Sequence, residues 1–193
     1  MSTVRNIARG VGSFTSNAFL VDGHRTVLVD AGSEFDAVER VDSAAGSLDA
    51  IVLTHTHPDH VGNVSSVVDA FDVDVWGFDA GHDLVEHAIA DGDRVEIGDS
   101  EYKALHTPGH KDDHVCLYSR GTGVLFAGDL VFAGGSFGRT DLDEGDRTVL
   151  AESIKKVLER SDGIEELHTG HGPSVLEGAR KHVEASLRNA RGR

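Results

Sequence analysis

Three histidines and an aspartate occur within six residues of this sequence, directly after the apolar segment 50–53. They are His55, His57, Asp59 and His60. Imidazole nitrogens and carboxylate oxygens are donor atoms that borderline divalent cations such as zinc prefer. A chain that turns just after a strand can direct several such side chains into one space. The pattern therefore predicts a metal site on a strand-to-helix loop, and a solvated histidine-rich loop is the alternative.

Three further candidate ligands occupy similar settings later in the chain, namely His110, Asp129 and His171. Each follows a glycine, just after a segment with the pattern of a strand. Glycine has no Cβ atom, so the backbone can turn sharply and approach an ion closely. Seven ligands are too many for one tetrahedral zinc, but they suit two ions that share a carboxylate and a solvent molecule. The candidates to orient the imidazoles from outside are Thr54, Asp30 and His114.

The elements that must position these residues are predicted to begin with a hairpin around the turn 22–24. A helix is predicted from Glu34 to about Ala45, with Ser33 as its N-cap, and a second helix over about 63–70. His82 and His87 are expected in a further helix after Asp79.

The second half is predicted to begin with four strands, at about 93–97, 101–106, 114–119 and 123–128. A helix over 147–160, a strand near 164–168 and a last helix over about 176–188 follow. No repeat or linker interrupts the sequence, so we expect a single domain over residues 1–193. Sheets in layers, with helices packed outside them, fit this pattern.

The composition narrows the classes of function. The formal charge is −15, with 33 acidic and 18 basic residues. Such an excess argues against nucleic acid or an anionic membrane surface as a partner, because both demand a basic patch, and it suggests a salt-rich, halophilic-like cytoplasm. With no signal peptide or apolar span expected, we predict a cytoplasmic protein that acts on a small molecule. The oligomeric state is not indicated.

Cys116 is the single cysteine, so an intrachain disulfide is excluded. It lies in an alternating strand pattern, which predicts a buried structural thiol rather than a reactive one.

The order and spacing of the candidate ligands resemble those of a known family. His55-x-His57-x-Asp59-His60, followed by Gly109-His110, Gly128-Asp129 and Gly170-His171-Gly172, is similar to the metallo-β-lactamase-fold hydrolase superfamily. The segments 138–142 (Gly-Arg-Thr-Asp-Leu) and 145–146 (Gly-Asp) resemble its glyoxalase II-like, or hydroxyacylglutathione hydrolase-like, branch, especially the short single-domain members. The resemblance implies an α/β fold, a four-layer αβ/βα sandwich of two mixed β-sheets flanked by helices.

The resemblance also implies how the ligands are divided. The first metal would be held by His55, His57 and His110, and the second by Asp59, His60 and His171. Asp129 would bridge the two ions, and Asp59 would also take part in catalysis beside a metal-bound hydroxide. Zinc is the expected metal, with iron and manganese as alternatives.

The reaction implied is thioester hydrolysis of an S-lactoyl thiol, with a metal-bridging hydroxide as the nucleophile. A thiolate leaving group has a conjugate acid with a pKa of about 8.5, so it needs no separate general acid. Arg139 and Lys111 are candidates to bind substrate carboxylates. The alternative for Arg139 is an ion pair with a nearby carboxylate such as Asp141.

Three other functions stay open. Persulfide dioxygenases resemble the same pattern and hold one iron through two histidines and an aspartate, which here would be His55, His110 and Asp129. Lactone hydrolysis is a weaker variant, because an alkoxide leaving group needs a proton donor. A metal-binding protein without catalysis is the third, and it predicts metals without exchangeable water.

Overall fold

A computed structural model describes residues 2–192 of the chain. These residues form two compact units, each with its own hydrophobic core. The first unit runs to Ile89 and includes Val95–Glu101, and the second contains Ala90–Arg94 and the chain from Tyr102 onward. The expectation of one domain over residues 1–193 stays a prediction.

The six-stranded sheet of the first unit follows the order of the sequence. Its strands are β1 (Thr3–Asn6), β2 (Phe19–Asp22), β3 (Val27–Val29), β4 (Ala50–Val52), β5 (Asp74–Gly77) and β6 (His87–Ala88). The first three pair antiparallel, which confirms the predicted hairpin, and β3 to β6 pair in parallel. β3 and β4 are buried at every position, as expected for parallel strands that are covered on both faces.

Helices connect the parallel strands of this sheet. α1 (Ala37–Ala45) lies between β3 and β4, while α2 (Pro58–Val61) and α3 (Val64–Phe71) lie between β4 and β5. The prediction of Ser33 as the N-cap of α1 is wrong, because Asp36 accepts the capping hydrogen bond from the Glu39 N–H at 2.9 Å. The Ser33 N–H instead donates to Thr15 Oγ1 at 2.8 Å.

The second sheet has five strands in the order β11, β10, β9, β8, β7. These are β7 (Arg94–Ile97), β8 (Ser100–His106), β9 (Val115–Tyr118), β10 (Val124–Gly128) and β11 (Glu166–Thr169). β8, β9 and β10 pair antiparallel, and β11 joins β10 in parallel. The four predicted strands between 93 and 128 are confirmed.

Two helices pack on the core of the second unit, α4 (Arg147–Arg160) and α5 (Arg180–Ala190). α4 supplies Leu150, Ile154 and Val157, and α5 supplies Val183 and Ala190. The prediction of two mixed β-sheets flanked by helices is therefore confirmed.

One further local prediction is wrong, and two short elements were not predicted. His87 lies in β6 and His82 in a turn, so the helix predicted after Asp79 is wrong. β1 and the short helix α2 were not predicted, since neither has a distinctive apolar pattern. Among the described residues, no helix is both long enough and apolar enough to cross a membrane.

Candidate metal centre

The first group of candidate ligands lies on the turn between β4 and α2. His57 is the N-cap of α2 in an extended conformation, and Pro58 takes the first helical position, where its missing N–H leaves no bond unmade. The His60 N–H then donates to the His57 carbonyl at 2.9 Å. This tight turn keeps His57, Asp59 and His60 beside the end of β4.

The donor atoms of this group lie close together. The donor nitrogens of His55 and His57, those of His55 and His60, and the donor atoms of Asp59 and His60 lie within 4.8 Å of each other. His55 Nε2 is 3.1 Å from His57 Nδ1. Two imidazole nitrogens on one tetrahedral zinc would be about 3.3 Å apart. The spacing of this pair therefore fits a divalent ion.

A buried carboxylate fixes the orientation of this loop. Asp30 Oδ2 lies 2.8 Å from His60 Nδ1 and accepts a 2.7 Å hydrogen bond from the Thr54 hydroxyl, while Asp30 Oδ1 accepts one from the Thr54 N–H at 2.8 Å. The Thr54 hydroxyl also lies 3.1 Å from His55 Nδ1. The outer roles predicted for Asp30 and Thr54 agree with these contacts, because each touches a ring nitrogen of a candidate ligand.

The second group of candidate ligands is held by loops at the strand ends of the second unit. His110 follows β8, Asp129 follows β10 and His171 follows β11. Asp129 Oδ2 lies 3.5 Å from His110 Nε2 and 3.5 Å from His171 Nε2. One carboxylate oxygen is thus equally distant from a predicted ligand of each metal, as a bridging ligand requires.

Three contacts hold this second group in place. The Asp129 N–H donates to His114 Nε2 at 3.0 Å, and His114 Nδ1 lies 2.8 Å from the Thr107 hydroxyl. His110 Nδ1 lies 2.8 Å from the Arg139 carbonyl, which accepts a hydrogen bond from it. His114 is fully buried, so its predicted outer role is supported by both burial and hydrogen bonding.

The chemistry of both groups suits a divalent metal. Each combines imidazoles with a carboxylate, in positions that are buried or half-buried. Burying such donors together is unfavourable without a cation to balance the carboxylates. The residues present therefore fit metal binding, while the assignment of each ligand to one of two ions stays a prediction.

Comparison with known proteins identifies the family. The sequence pattern of the Metallo-beta-lactamase superfamily matches residues 11–171. The chain belongs to this superfamily. Members of the metallo-beta-lactamase superfamily bind divalent metals, in agreement with the two ligand groups.

Two curated proteins and one solved structure illustrate what the chain is similar to. The chain is 35% identical over 173 residues to an uncharacterized protein of Aquifex aeolicus, covering 77% of this chain and 80% of that protein. It is 27% identical to hydroxyacylglutathione hydrolase GloC of Haemophilus influenzae, over 92% of this chain and 95% of that protein. The crystal structure of TTHA1623 in a di-iron-bound form is 30% identical, with a TM-score of 0.75 over 93% of this chain and 96% of that one.

The two predicted substrate-binding residues have partners inside this metallo-beta-lactamase-fold chain. Arg139 Nε and Nη2 donate to both carboxylate oxygens of Asp141, at 3.0 and 2.8 Å. Lys111 Nζ lies 3.2 Å from Glu144 and 3.4 Å from Asp113. Burial by itself would lower the pKa of Lys111, but these two carboxylates outweigh it and raise the pKa. The ion pair with Asp141, the alternative for Arg139, is present, and substrate binding by either residue stays a prediction.

Sequence reasoning missed two residues that support the ligand loops. Gly138 packs so closely on the Asp129 carbonyl that a Cβ atom there would collide with it and lie 3.1 Å from His110 Nδ1. His168 Nδ1 lies 3.0 Å from the Ser174 hydroxyl, and this hydrogen bond links the two ends of the loop that carries His171. The glycine before Arg139 was the available signal for the first, while the strand pattern near 164–168 gave no indication of the Ser174 contact.

The prediction of a buried, structural thiol at Cys116 is confirmed. Cys116 is buried, and burial raises the pKa of its thiol to about 12, so it is a structural thiol. His24 is exposed in the turn before β3. His168 is buried and hydrogen-bonded.

Proposed function

We propose that this chain is a metal-dependent hydrolase that cleaves thioesters, with an S-lactoyl thiol as the substrate class. The observation that carries the proposal is the position of Asp129 Oδ2, which lies 3.5 Å from both His110 and His171. A shared carboxylate suits a pair of metal ions, the arrangement used for hydrolysis. Similarity to GloC of Haemophilus influenzae over 92% of this chain supports the thioester as substrate.

Two divalent ions are proposed as the cofactor. They would be held by the seven residues that the family resemblance assigns, namely His55, His57, Asp59, His60, His110, Asp129 and His171. Such ions, when bound, would lower the pKa of coordinated water and polarise a substrate carbonyl. Zinc is the proposed metal, and the di-iron form of TTHA1623, at 30% identity, makes iron the alternative to measure.

The residues of the chain contribute orientation and charge. His114 and the Arg139 carbonyl fix Asp129 and His110, and Asp30 fixes His60 through Nδ1. The contacts of His110 and His60 are made through Nδ1, so Nε2 of each ring is the donor atom for a metal. A thiolate with a conjugate-acid pKa of about 8.5 departs without a proton donor, so the site needs no further acid.

The decisive experiment combines metal analysis with a panel of substrates. The protein is purified, its metal content is measured, and S-lactoylglutathione, an S-lactoyl γ-glutamylcysteine analogue, a persulfide and a lactone are assayed in high and low potassium chloride. Two metals per chain and hydrolysis of an S-lactoyl thioester are expected. One iron per chain with oxygen uptake on the persulfide would instead establish the dioxygenase alternative.

Variants test the ligand assignment in the same assay. His57→Ala and Asp129→Ala are each expected to abolish turnover, because each removes a predicted ligand. His24→Ala and Asp69→Ala change exposed residues of the same types and are expected to leave turnover unchanged. Full activity in either ligand variant contradicts the assigned roles.

A further inference from the structure

A groove of about 390 Å³ opens beside β1 and α1, within the first unit. Three arginines line it, Arg5, Arg9 and Arg40, and we call it the arginine groove. Arg5 and Arg9 are exposed, and Arg40 is half-buried. None of the candidate metal ligands lines the groove, so it is separate from the residues of the proposed function.

The charge of the arginine groove contrasts with that of the chain. Acidic residues outnumber basic ones by 33 to 18, yet Arg5 and Arg9 are the only charged side chains in residues 1–21. Across residues 2–192, no carboxylate lies within ion-pair distance of the three groove arginines, although Arg120, Arg139, Arg180 and Arg191 all have such partners. Three cations that share a groove repel one another, and an anion placed among them removes that repulsion.

Two of the guanidinium groups are held in fixed positions. Arg40 Nη1 donates to the carbonyls of Ile7 and Arg9, at 2.5 and 3.1 Å, and its guanidinium lies 5.3 Å from the centre of the Phe35 ring. Arg5 Nη1 donates to the Ala44 carbonyl at 2.9 Å. Because both arginines use Nη1, the Nε–Nη2 edge of each is kept for another partner.

That edge has a specific chemistry. The two parallel N–H groups of a guanidinium match the two oxygens of a phosphate or carboxylate, and a pre-positioned arginine loses little entropy when it binds one. Arg9 contributes a third positive charge through a side chain that no backbone carbonyl of the described chain restrains. A groove of about 390 Å³ falls within the range of small-molecule sites.

The geometry points to the arginine groove as a binding site for a small oxyanion, that is, a molecule with phosphate or clustered carboxylate groups. Glu39 also lines the groove and has no ion-pair partner among residues 2–192, so its charge opposes the anion. The site therefore favours an anion that contacts the arginines and stays away from Glu39. The inference is independent of the metal ligands and of the proposed thioester substrate.

The test is calorimetric titration of the metal-loaded protein with inorganic phosphate, pyrophosphate and citrate, at constant ionic strength set by potassium chloride. Binding of at least one of the three is expected, and the order of affinities distinguishes phosphate from carboxylate ligands. Arg9→Gln, which breaks no backbone contact, is expected to weaken binding about tenfold, the loss of one charge-assisted pair. Glu39→Gln is expected to strengthen it.

Arg120→Gln is the matched control, because it removes the same charge from an exposed arginine that pairs with Asp162. It is expected to bind the anion as the unmodified protein does. An anion held by the metal ions instead would bind equally well to the Arg9→Gln and Glu39→Gln variants, and that result overturns the inference. Absence of binding of all three anions at millimolar concentration overturns it as well.

Discussion

The backbone N–H of Asp129 donates its hydrogen bond to a side chain, His114 Nε2, at 3.0 Å. Since Nε2 accepts, the ring carries its proton on Nδ1, which lies 2.8 Å from the Thr107 hydroxyl and donates to it. The buried ring thus connects the end of β8 to the predicted bridging ligand after β10. These two hydrogen bonds together require one ring nitrogen of His114 to accept and the other to donate.

Removal of the His114 ring should displace Asp129. We expect His114→Phe to weaken metal binding about 10- to 100-fold, the usual effect of losing a residue that orients a ligand. His114→Gln places an amide oxygen near the Asp129 N–H and should recover part of the affinity. The measurement is competition with a chelator for zinc. His106→Gln is the control, because the His106 ring contacts the carbonyl of Asp112, which is not a candidate metal ligand. Equal zinc affinity in all variants would contradict the role of His114.

Asp30 should contribute both to stability and to the position of His60. It is buried, has a φ of 56° and accepts two hydrogen bonds from Thr54. Asp30→Ala leaves these donors unpaired and strains the backbone, so we expect a loss of about 3 kcal/mol or more in the free energy of unfolding. Asp30→Asn tolerates the same φ and keeps one acceptor, so a smaller loss is expected.

Urea denaturation of the metal-free variants measures this difference. Asp72→Ala is the control, because Asp72 has a φ of 53° but is exposed at the end of α3. It should lose only the cost of the backbone conformation, about 1–2 kcal/mol. If Asp30→Ala is no less stable than Asp72→Ala, the buried hydrogen bonds do not stabilise the fold as argued.

Gly138 should be required for the geometry of the second ligand group. The backbone of Gly138 does not have the positive φ that would itself favour glycine. A Cβ atom at this position, however, would collide with the Asp129 carbonyl and lie 3.1 Å from His110 Nδ1. We therefore expect Gly138→Ala to fold but to bind zinc at least about tenfold more weakly, because two ligands shift. Circular dichroism and chelator competition measure the two effects separately.

Gly121→Ala is the matched control for this variant. The nearest atom to its added Cβ is Ser119 Oγ at 4.0 Å, so it should bind zinc normally. Unchanged zinc affinity in Gly138→Ala would show that the segment around Arg139 moves freely and does not position His110.

The boundaries of the helices show where sequence is sufficient. α4 was predicted over the residues observed, because its apolar spacing is regular and Asp146 caps it through the Thr148 and Val149 N–H groups. α1 begins later than predicted because Ser33, a good capping residue by type, is bound to Thr15 from the loop before β2. Such a contact between distant segments leaves no trace in the local pattern.

The candidate site shows the same limit. His110, Asp129 and His171 were identified because each follows a glycine at a strand end, a local feature. The function of His114 depends on Thr107 and Asp129, which the sheet brings to its two ring nitrogens. Sequence therefore predicts which residues can bind a metal, while the residues that orient them emerge only from the pairing of strands.

His168 should make the stability of the fold depend on pH. Burial lowers the pKa of its imidazole from 6.5 to about 4, and the charged group that faces it is Glu166, 3.3 Å from Nε2. As the pH falls below 6.5, the His168 imidazole is protonated in the unfolded chain but stays neutral in the folded chain. The contribution of neutral His168 to the free energy of unfolding is therefore fully present above about pH 6.5. It is lost as the pH falls towards about 4, and the total loss is about 3 kcal/mol.

His168→Gln isolates this contribution, because glutamine does not titrate and its amide can still reach the Ser174 hydroxyl. We expect the free energy of unfolding, from urea denaturation, to fall less in this variant than in the unmodified protein between about pH 7 and about pH 5. His24→Gln, an exposed histidine, should follow the unmodified protein. Parallel curves for all three proteins would show that the pKa of His168 is the same in the folded and the unfolded chain, which contradicts the prediction.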